Sequence, residues 1–290
     1  MTESTEAPDT AIRLAQTIAS LPPLPATAQE ILTCFGDEFI DADKVTAIIE
    51  DDPGICGRLL GLANSAYFGL AEPTTAVSEA ISRVLGVDTV RSLVLAMAIQ
   101  QSFSFRSCPS FDVERFWTQS LLTAEISKRI ALSNDLDDEK DRDLAYSCGL
   151  CHNLGLLALA HSESEGLNRA LQLCRGVHEP DALSVALHNE FDVDHRIVTA
   201  ELAKAWSLPD SMAAAYELRA FPELRSGNNL GLVLAVAVAI VNFAQYETGE
   251  DRVREAASQL DCDVDAMVAF INDNEREKQR IQTVASRMSR

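Results

Sequence analysis

The sequence is poor in turn-forming residues, with 13 glycines and 10 prolines among 290 positions, below the roughly 7 % and 5 % of ordinary chains. Few breakers mean few turns, which favours long helices over many short strands. Basic residues are scarce too: 24 Lys+Arg stand against 44 Asp+Glu, a formal charge of −20. A polyanion or an anionic bilayer surface repels such a molecule, and no Lys/Arg-rich run offers a local exception. Neither direct nucleic-acid binding nor a membrane partner is expected. The first residues, MTESTEAPDT, are acidic and polar, the reverse of an export signal. No apolar run reaches the ~20 residues of a bilayer span, and the longest, Leu230 to Val241, reads as a buried core helix. Walker-type, dinucleotide-binding and nucleophile-elbow glycine motifs are missing as well, so nucleotide and serine-hydrolase readings lack a motif.

What is present is an ordinary apolar share, 47 %, so the charge does not come with the hydrophobic poverty of a disordered chain. The length suits one large domain or two intimate ones. Seven cysteines (Cys34, Cys56, Cys108, Cys148, Cys151, Cys174 and Cys262) are odd in number and scattered. They read as small buried hydrophobes in a reducing cytoplasm.

Along the chain, residues 1–9 are predicted to be a disordered tail. Asp41 caps a helix to about Glu50, and Asp52 before Pro53 caps the next, which closes at Asn64–Ser65. A segment from about Thr75 stops at Gly86, and Asp88 is expected to cap an apolar helix to Gln101. No stretch alternates with period 2, so strands are not expected. FSFRSCPS, Phe103 to Ser110, has a connector's composition. Asp112 opens a long amphipathic helix with Phe116, Leu121, Ile126 and Ile130 inward. After a charged turn, LAYSCGLCHNLGLLALAH is apolar nearly all round and predicts one central helix. Further helices are predicted at 163–175, 181–189, 194–206, 209–220, 230–248 and 263–288. The last carries an apolar face of Val264, Met267, Val268, Ile271, Ile281, Val284 and Met288, and intramolecular packing is the expectation, with a partner grip as the alternative. The resulting division is 10–105 for an N-terminal helical lobe and 106–290 for a second lobe with the terminal helices.

Few residues in this pattern can carry chemistry. CGLCH, Cys148 to His152, matches covalent haem attachment, but no export signal accompanies it and it lies inside an apolar helix. A zinc reading lacks a second half-site, and a redox reading lacks the strand before the CxxC. No cofactor is expected, and the two thiols read as structural. His152–Asn153, adjacent polar residues within GLCHNLGLL, are costly unless hydrogen-bonded or liganded.

Several blocks then resemble one family. LPPLPATAQEIL (Leu21 to Leu32), IIEDDPGICGRLLGLANSAYFG (Ile48 to Gly69) and AVSEAISRVLGVDTVRSLVLA (Ala76 to Ala96) resemble the opening of HDOD domains. FDVERFWTQSLLTAEISKRIA, AYSCGLCHNLGLLAL and EFDVDHRIVTAELAKAWSLPDSM (Glu190 to Met212) continue the likeness, in family order, over about 20–220. The resemblance implies an all-α, two-lobed helical bundle whose second lobe is like that of HD-type metal phosphohydrolases. It also implies a regulatory or output role in bacterial signal transduction.

HD phosphohydrolases hold divalent metal through an early histidine, a His-Asp doublet and a later aspartate. Hard carboxylates neutralise the ion, imidazole fixes geometry, and the metal acidifies water. By this resemblance the early histidine falls on Gln119 and the doublet on His152–Asn153, whose neutral amide cannot replace the lost charge. The later aspartate has no clear position. Asp192 and Asp194 lie downstream, but Asp194 reads as an N-cap with His195 at the first helical position, in a pocket or as a surface or interlobe histidine. Where many relatives carry paired histidines, this chain reads YELRAF. No bound metal and no catalysis are therefore expected.

His161, His178 and His188 share no ligand spacing. Arg58 and Asn64 resemble a family hallmark, and they are ligand- or partner-binding candidates together with Gln119, His152, Asn153 and His195. The plainer reading of Asn64 is that it closes a helix while Tyr67–Phe68 staple the turn to the core. Arg58 and Arg91 are the sketch of a basic pocket for an anionic nucleotide. The leading expectation is a cytoplasmic, non-catalytic protein that binds a protein partner or a small ligand. A residual phosphohydrolase acting on a cyclic nucleotide and a non-hydrolysing nucleotide sensor are the alternatives. No receiver, cyclase or DNA-binding domain fits in the residues outside the resemblance, so input and output are expected from other chains.

Overall fold

The computed structural model describes residues 18–35, 41–65, 68, 70, 72–134, 139–177, 181–220, 229–247 and 250–289. The predicted tail at 1–9, Tyr67 and His178 lie outside them. Among the described residues every regular element is helical.

The first half follows its caps. After α1 (Ala26–Leu32), the Asp41 carboxylate accepts from the Asp43 and Lys44 amides and starts α2 (Ala42–Glu50). Asp52 accepts from Gly54 and Ile55, with Pro53 in first place, and starts α3 (Pro53–Ala63), which closes at Asn64. These are the predicted signals, and each satisfies amides that a helix start leaves without a partner. A short α4 (Val77–Glu79) runs into a π-helical turn, Ala80–Leu85, and stops at Gly86. There φ is 81°, a conformation only glycine adopts without cost.

The expected Asp88 cap is corrected. α5 (Val87–Gln101) starts directly from Gly86 without a side-chain cap, and Asp88 sits in its first turn. The positive φ at Gly86 has already broken the chain direction one residue too early for Asp88 to lie outside the helix. Every α5 residue from Val90 to Gln100 is buried, so this helix is the spine of the first lobe, with α1 packed along it.

Asp112 accepts from the Arg115 amide and opens α6 (Val113–Ser133), on which Phe116, Leu121, Ile126 and Ile130 are buried as predicted. The single central helix is not observed. It is two, α7 (Glu139–Cys151) and α8 (Leu154–Ser162), parted at His152–Asn153. The reason is local. His152 Nδ1 bonds the Gly149 carbonyl at 2.7 Å, the acceptor an unbroken helix would have offered to the Asn153 amide. Asn153 then leaves helical geometry at φ −117°, ψ 22°.

Four helices follow near their predicted positions: α9 (Ser164–Leu173), α10 (Ala182–Phe191), α11 (His195–Ala205) and α12 (Asp210–Ala220). α13 (Asn229–Tyr246) is long and apolar enough, by length and composition, to cross a membrane. Here it buries Leu230, Val233, Leu234, Val236, Ala237, Ile240 and Val241 and packs against α6, α7 and α12. The predicted closing helix at 263–288 is corrected to α15 (Val264–Asp273) and α16 (Glu275–Met288), preceded by an unpredicted α14 (Glu250–Ala257). Asn274 ends one and caps the next by accepting from the Glu277 amide.

Among the described residues the lobes meet through several elements. α5 packs on α7, where the buried hydroxyls of Ser92 and Ser147 lie 2.6 Å apart. α16 lies along α6 and also reaches α3, burying Ile281, Val284 and Met288. Its apolar face is thus used within the molecule. The connector after α5 is pinned to the second lobe, since Ser104 N donates to His161 Nδ1 at 3.1 Å and Ser110 N to Asn168 Oδ1 at 3.0 Å.

Candidate functional site

The break at His152–Asn153 lies at the C-terminal end of α7, where the last carbonyls of a helix lack partners and carry partial negative charge. Side chains take them up. Tyr216 Oη donates to Cys148 O at 3.0 Å, His152 Nδ1 takes Gly149 O, and Arg219 Nη1 donates to His152 O at 2.7 Å. Tyr216 and Arg219 are three residues apart on α12 and so share one face. Both come from the segment YELRAF, which sequence reasoning inspected only for missing histidines. The signal that could have found them is a tyrosine and an arginine at helical spacing beside an apolar helix.

α11 supplies the other wall. Asp194 caps it, accepting from the Arg196 amide at 2.8 Å and from Arg196 Nε at 2.7 Å. His195 is the first residue of the helix and is buried, which places it inside the fold and not on the surface. Its Nδ1 stands 2.8 Å from Asp194 Oδ1, a contact between sequence neighbours that is not aligned as a hydrogen bond. A Cβ on Gly155 would come within 2.1 Å of the His195 carbonyl oxygen, so α8 and α11 touch backbone to backbone. Thr199 Oγ1 seals the contact, accepting from Gly155 N at 2.9 Å and donating to His195 O at 2.9 Å.

The electrostatics follow from burial. Burial, the neighbouring Arg219 charge and His195 hold the His152 imidazole well below its usual range. His195 is also lowered, by burial first, against the pull of Asp194. Burial alone would raise the Asp194 carboxyl, but His195 and Arg196 outweigh it and hold it well below the ordinary carboxylate range. Arg219 is lowered by burial to about 10, so it keeps its charge at neutral pH. The site therefore pairs two neutral imidazoles with one engaged carboxylate and one persistent guanidinium. Asn153 Oδ1 is buried there without a hydrogen-bond donor among the described residues.

The remaining candidates are held by other partners. Gln119, on α6, donates through Nε2 to Gln245 Oε1 at 3.0 Å, toward the end of α13. Asn64 is held by Thr74, with Nδ2 to Thr74 O and Oδ1 from Thr74 N, both at 2.8 Å. Arg58 is half-buried on α3, lowered by burial and raised by Asp52. Arg91, sketched with it as a basic pocket, is engaged inside the first lobe. Its side chain is buried, donates to Cys34 O at 2.9 Å and stacks 4.1 Å over the Phe35 ring. Cys148 and Cys151 are free and buried. Burial raises both thiols, that of Cys151 to about 12, so both are protonated at neutral pH.

A divalent ion does not fit this donor set. Asn153 brings no charge, Asp194 is already bonded to Arg196, and a guanidinium stands beside both imidazoles. Among the described residues no three His, Cys, Asp or Glu side chains group as metal ligands.

The HDOD domain family model matches residues 21–220. An uncharacterized protein of Treponema pallidum (strain Nichols) is 28 % identical over 202 residues, 69 % of this chain and 37 % of that protein. The fold is similar to that of a proposed signal transduction protein from Marinobacter aquaeolei VT8, with TM-score 0.80 and 22 % identity, covering 98 % of this chain and 66 % of that one. An HDOD domain protein with unknown function from Geobacter sulfurreducens gives TM-score 0.70 at 19 % identity over 97 % of this chain and 99 % of its own. A proposed phosphohydrolase from Shewanella amazonensis SB2B gives 0.70 at 20 % identity over 95 % and 98 %. This chain thus spans little more than a third of the curated relative's length and about two thirds of the Marinobacter protein's. These structural likenesses establish the all-α, HD-like fold.

Proposed function

The chain belongs to the HDOD domain family, and from that premise we propose that it is a regulatory or output protein of bacterial signal transduction that binds a protein partner or a small ligand without turning it over. The observation that carries this reading is the chemistry of the doublet. A phosphohydrolase of the HD type needs hard carboxylates to neutralise its ion and to bridge to a second one. This chain places a neutral amide, Asn153, at that position, and the Asp194 carboxylate beside His195 serves Arg196 and the start of α11.

The charge of −20 favours a protein partner over nucleic acid, and the free cysteines suit a reducing cytoplasm. The likeness to the Marinobacter protein supports a signalling role. The test is to purify the protein without chelators, measure bound Mn, Fe, Zn and Mg, and assay cyclic dinucleotide and nucleotide phosphodiester hydrolysis with added Mn²⁺ or Mg²⁺. The expected result is metal well below one equivalent and no turnover above the metal-only control. Stoichiometric metal accompanied by turnover would overturn the reading and restore the hydrolase.

A further inference from the structure

At the end of α7, where side chains of α11 and α12 converge, the charge is supplied by the chain itself. Arg219 Nη1 is bonded to His152 O, so the guanidinium is anchored on the backbone of the very residue whose imidazole would be a ligand. Its field acts on His152, on His195 and on Asp194 together. Arg196 adds a second guanidinium, whose Nε donates to the Asp194 carboxylate, while its backbone amide donates to the same carboxylate at the start of α11. Tyr216, one turn before Arg219, fixes the helix that carries it by donating to Cys148 O.

We infer that Arg219 is the resident cation of this site, a fixed guanidinium that stands where a divalent ion's charge would act and that makes the site reject metal. The missing aspartate is then only half of the specificity. A carboxylate restored at position 153 would meet an internal cation before it met an ion, and a divalent ion brought beside His152 and His195 would face a like charge in a poorly solvated place. Arginine suits the role because it keeps its proton when buried and its planar fork holds a carbonyl while presenting charge sideways. The inference rests on the binding reading above for one point only, that the natural chain holds no metal.

The experiment rebuilds the donors and varies the cation. Gln119→His and Asn153→Asp are introduced together, first with Arg219 retained and then with Arg219→Gln, Arg219→Met and Arg219→Lys. Mn²⁺ binding is measured by calorimetry and by metal content after gel filtration, with thermal melting to check that each variant folds. Arg219→Gln keeps an N–H donor for His152 O without the charge. Arg219→Met covers the case in which Gln does not fold.

With Arg219 or Lys present, no stoichiometric Mn²⁺ is expected. With Gln or Met, binding should tighten by on the order of 100-fold or more, as removal of a neighbouring like charge requires. Equal binding with and without the charge would overturn the inference. So would no binding in any background, because removing the charge would then not have admitted the ion. Metal with turnover in the natural protein would instead overturn the binding reading, which keeps the two failures apart.

Discussion

Asn64 and Thr74 hold each other through both halves of one amide, the Asn64 Nδ2 donating to Thr74 O and its Oδ1 accepting from Thr74 N, each at 2.8 Å. Ten residues apart, they fasten the end of α3 to the entry of α4. Thr74 Oγ1 in turn donates to Glu79 Oε2 at 2.7 Å.

This relationship makes Asn64 testable as a clamp. Asn64→Ala should cost about 1–3 kcal/mol, because it leaves a partly buried amide and carbonyl without partners. Asn64→Asp should cost at least as much, since a carboxylate accepts from Thr74 N but opposes Thr74 O. Urea unfolding of both variants checks the order. An alanine variant as stable as the parent would return Asn64 to the list of ligand-facing residues.

Two glycines should respond in opposite ways to alanine. At Gly155 the added carbon would lie 2.1 Å from His195 O and 2.9 Å from Thr199 N, both backbone atoms. α8 must then part from α11 at a cost of about 3 kcal/mol or more. At Gly57, inside α3, nothing lies within 4 Å, and alanine should gain roughly 0.5–1 kcal/mol from helix propensity. Thermal melting of Gly155→Ala and Gly57→Ala decides both, and a Gly155 variant that melts with the parent would contradict the described α8–α11 contact.

The first lobe and the opening of α6 were readable because their signals are short-range. Asp41, Asp52, Pro53, Gly86 and Asp112 act within four residues of themselves, and Asp88 failed only because Gly86 had already set the boundary. The split of the central helix was not readable from periodicity. It depends on one imidazole turning back to Gly149 O and on two side chains arriving from α12, more than sixty residues away. The doublet itself was found through the resemblance, yet its electrostatic partner Arg219 was not, since an arginine at that place has no ligand pattern to match. Gln119 was placed by the same resemblance, but its bond to Gln245 depends on how α6 meets α13. The break at Asn274 had a local signal, an Asn followed at the third residue by Glu, hidden within a run of charge.

The terminal helix is fastened by a buried ionic cluster. Arg280 bonds Glu277 on its own helix and Glu125 on α6, all three largely shielded from solvent. Burial would lower the guanidinium, but Glu277, Glu125 and Tyr146 keep it well above its ordinary value. Arg280→Met should destabilise the protein by on the order of 3 kcal/mol, because it strands Glu125 without its partner. The double variant Arg280→Met with Glu125→Gln should recover part of that loss. A double-mutant cycle by urea unfolding measures the coupling, and strictly additive costs would show that the pair does not act together.

Acid should weaken the fold through the buried histidines His152 and His195 before it reaches the carboxylates. His152 lies well below the ordinary imidazole value of 6.5 and His195 is lowered too, both chiefly by burial. Both are neutral in the folded protein but take up protons in the unfolded chain near 6.5, so the unfolded state binds more protons as pH falls. Their contribution is complete above that pH and is lost below it, at up to about 1.4 kcal/mol per pH unit for each histidine. Asp194 has the same sign, but its unfolded value is 3.8, so it does not contribute between about pH 7.5 and 5. Urea midpoints measured across that window should fall as the solution is acidified. In His152→Gln the fall should be shallower by up to one proton's worth of slope, whatever the variant's stability at neutral pH. An unchanged slope would mean that His152 carries its proton in the folded protein, and the picture of two neutral imidazoles beside Arg219 would have to be abandoned.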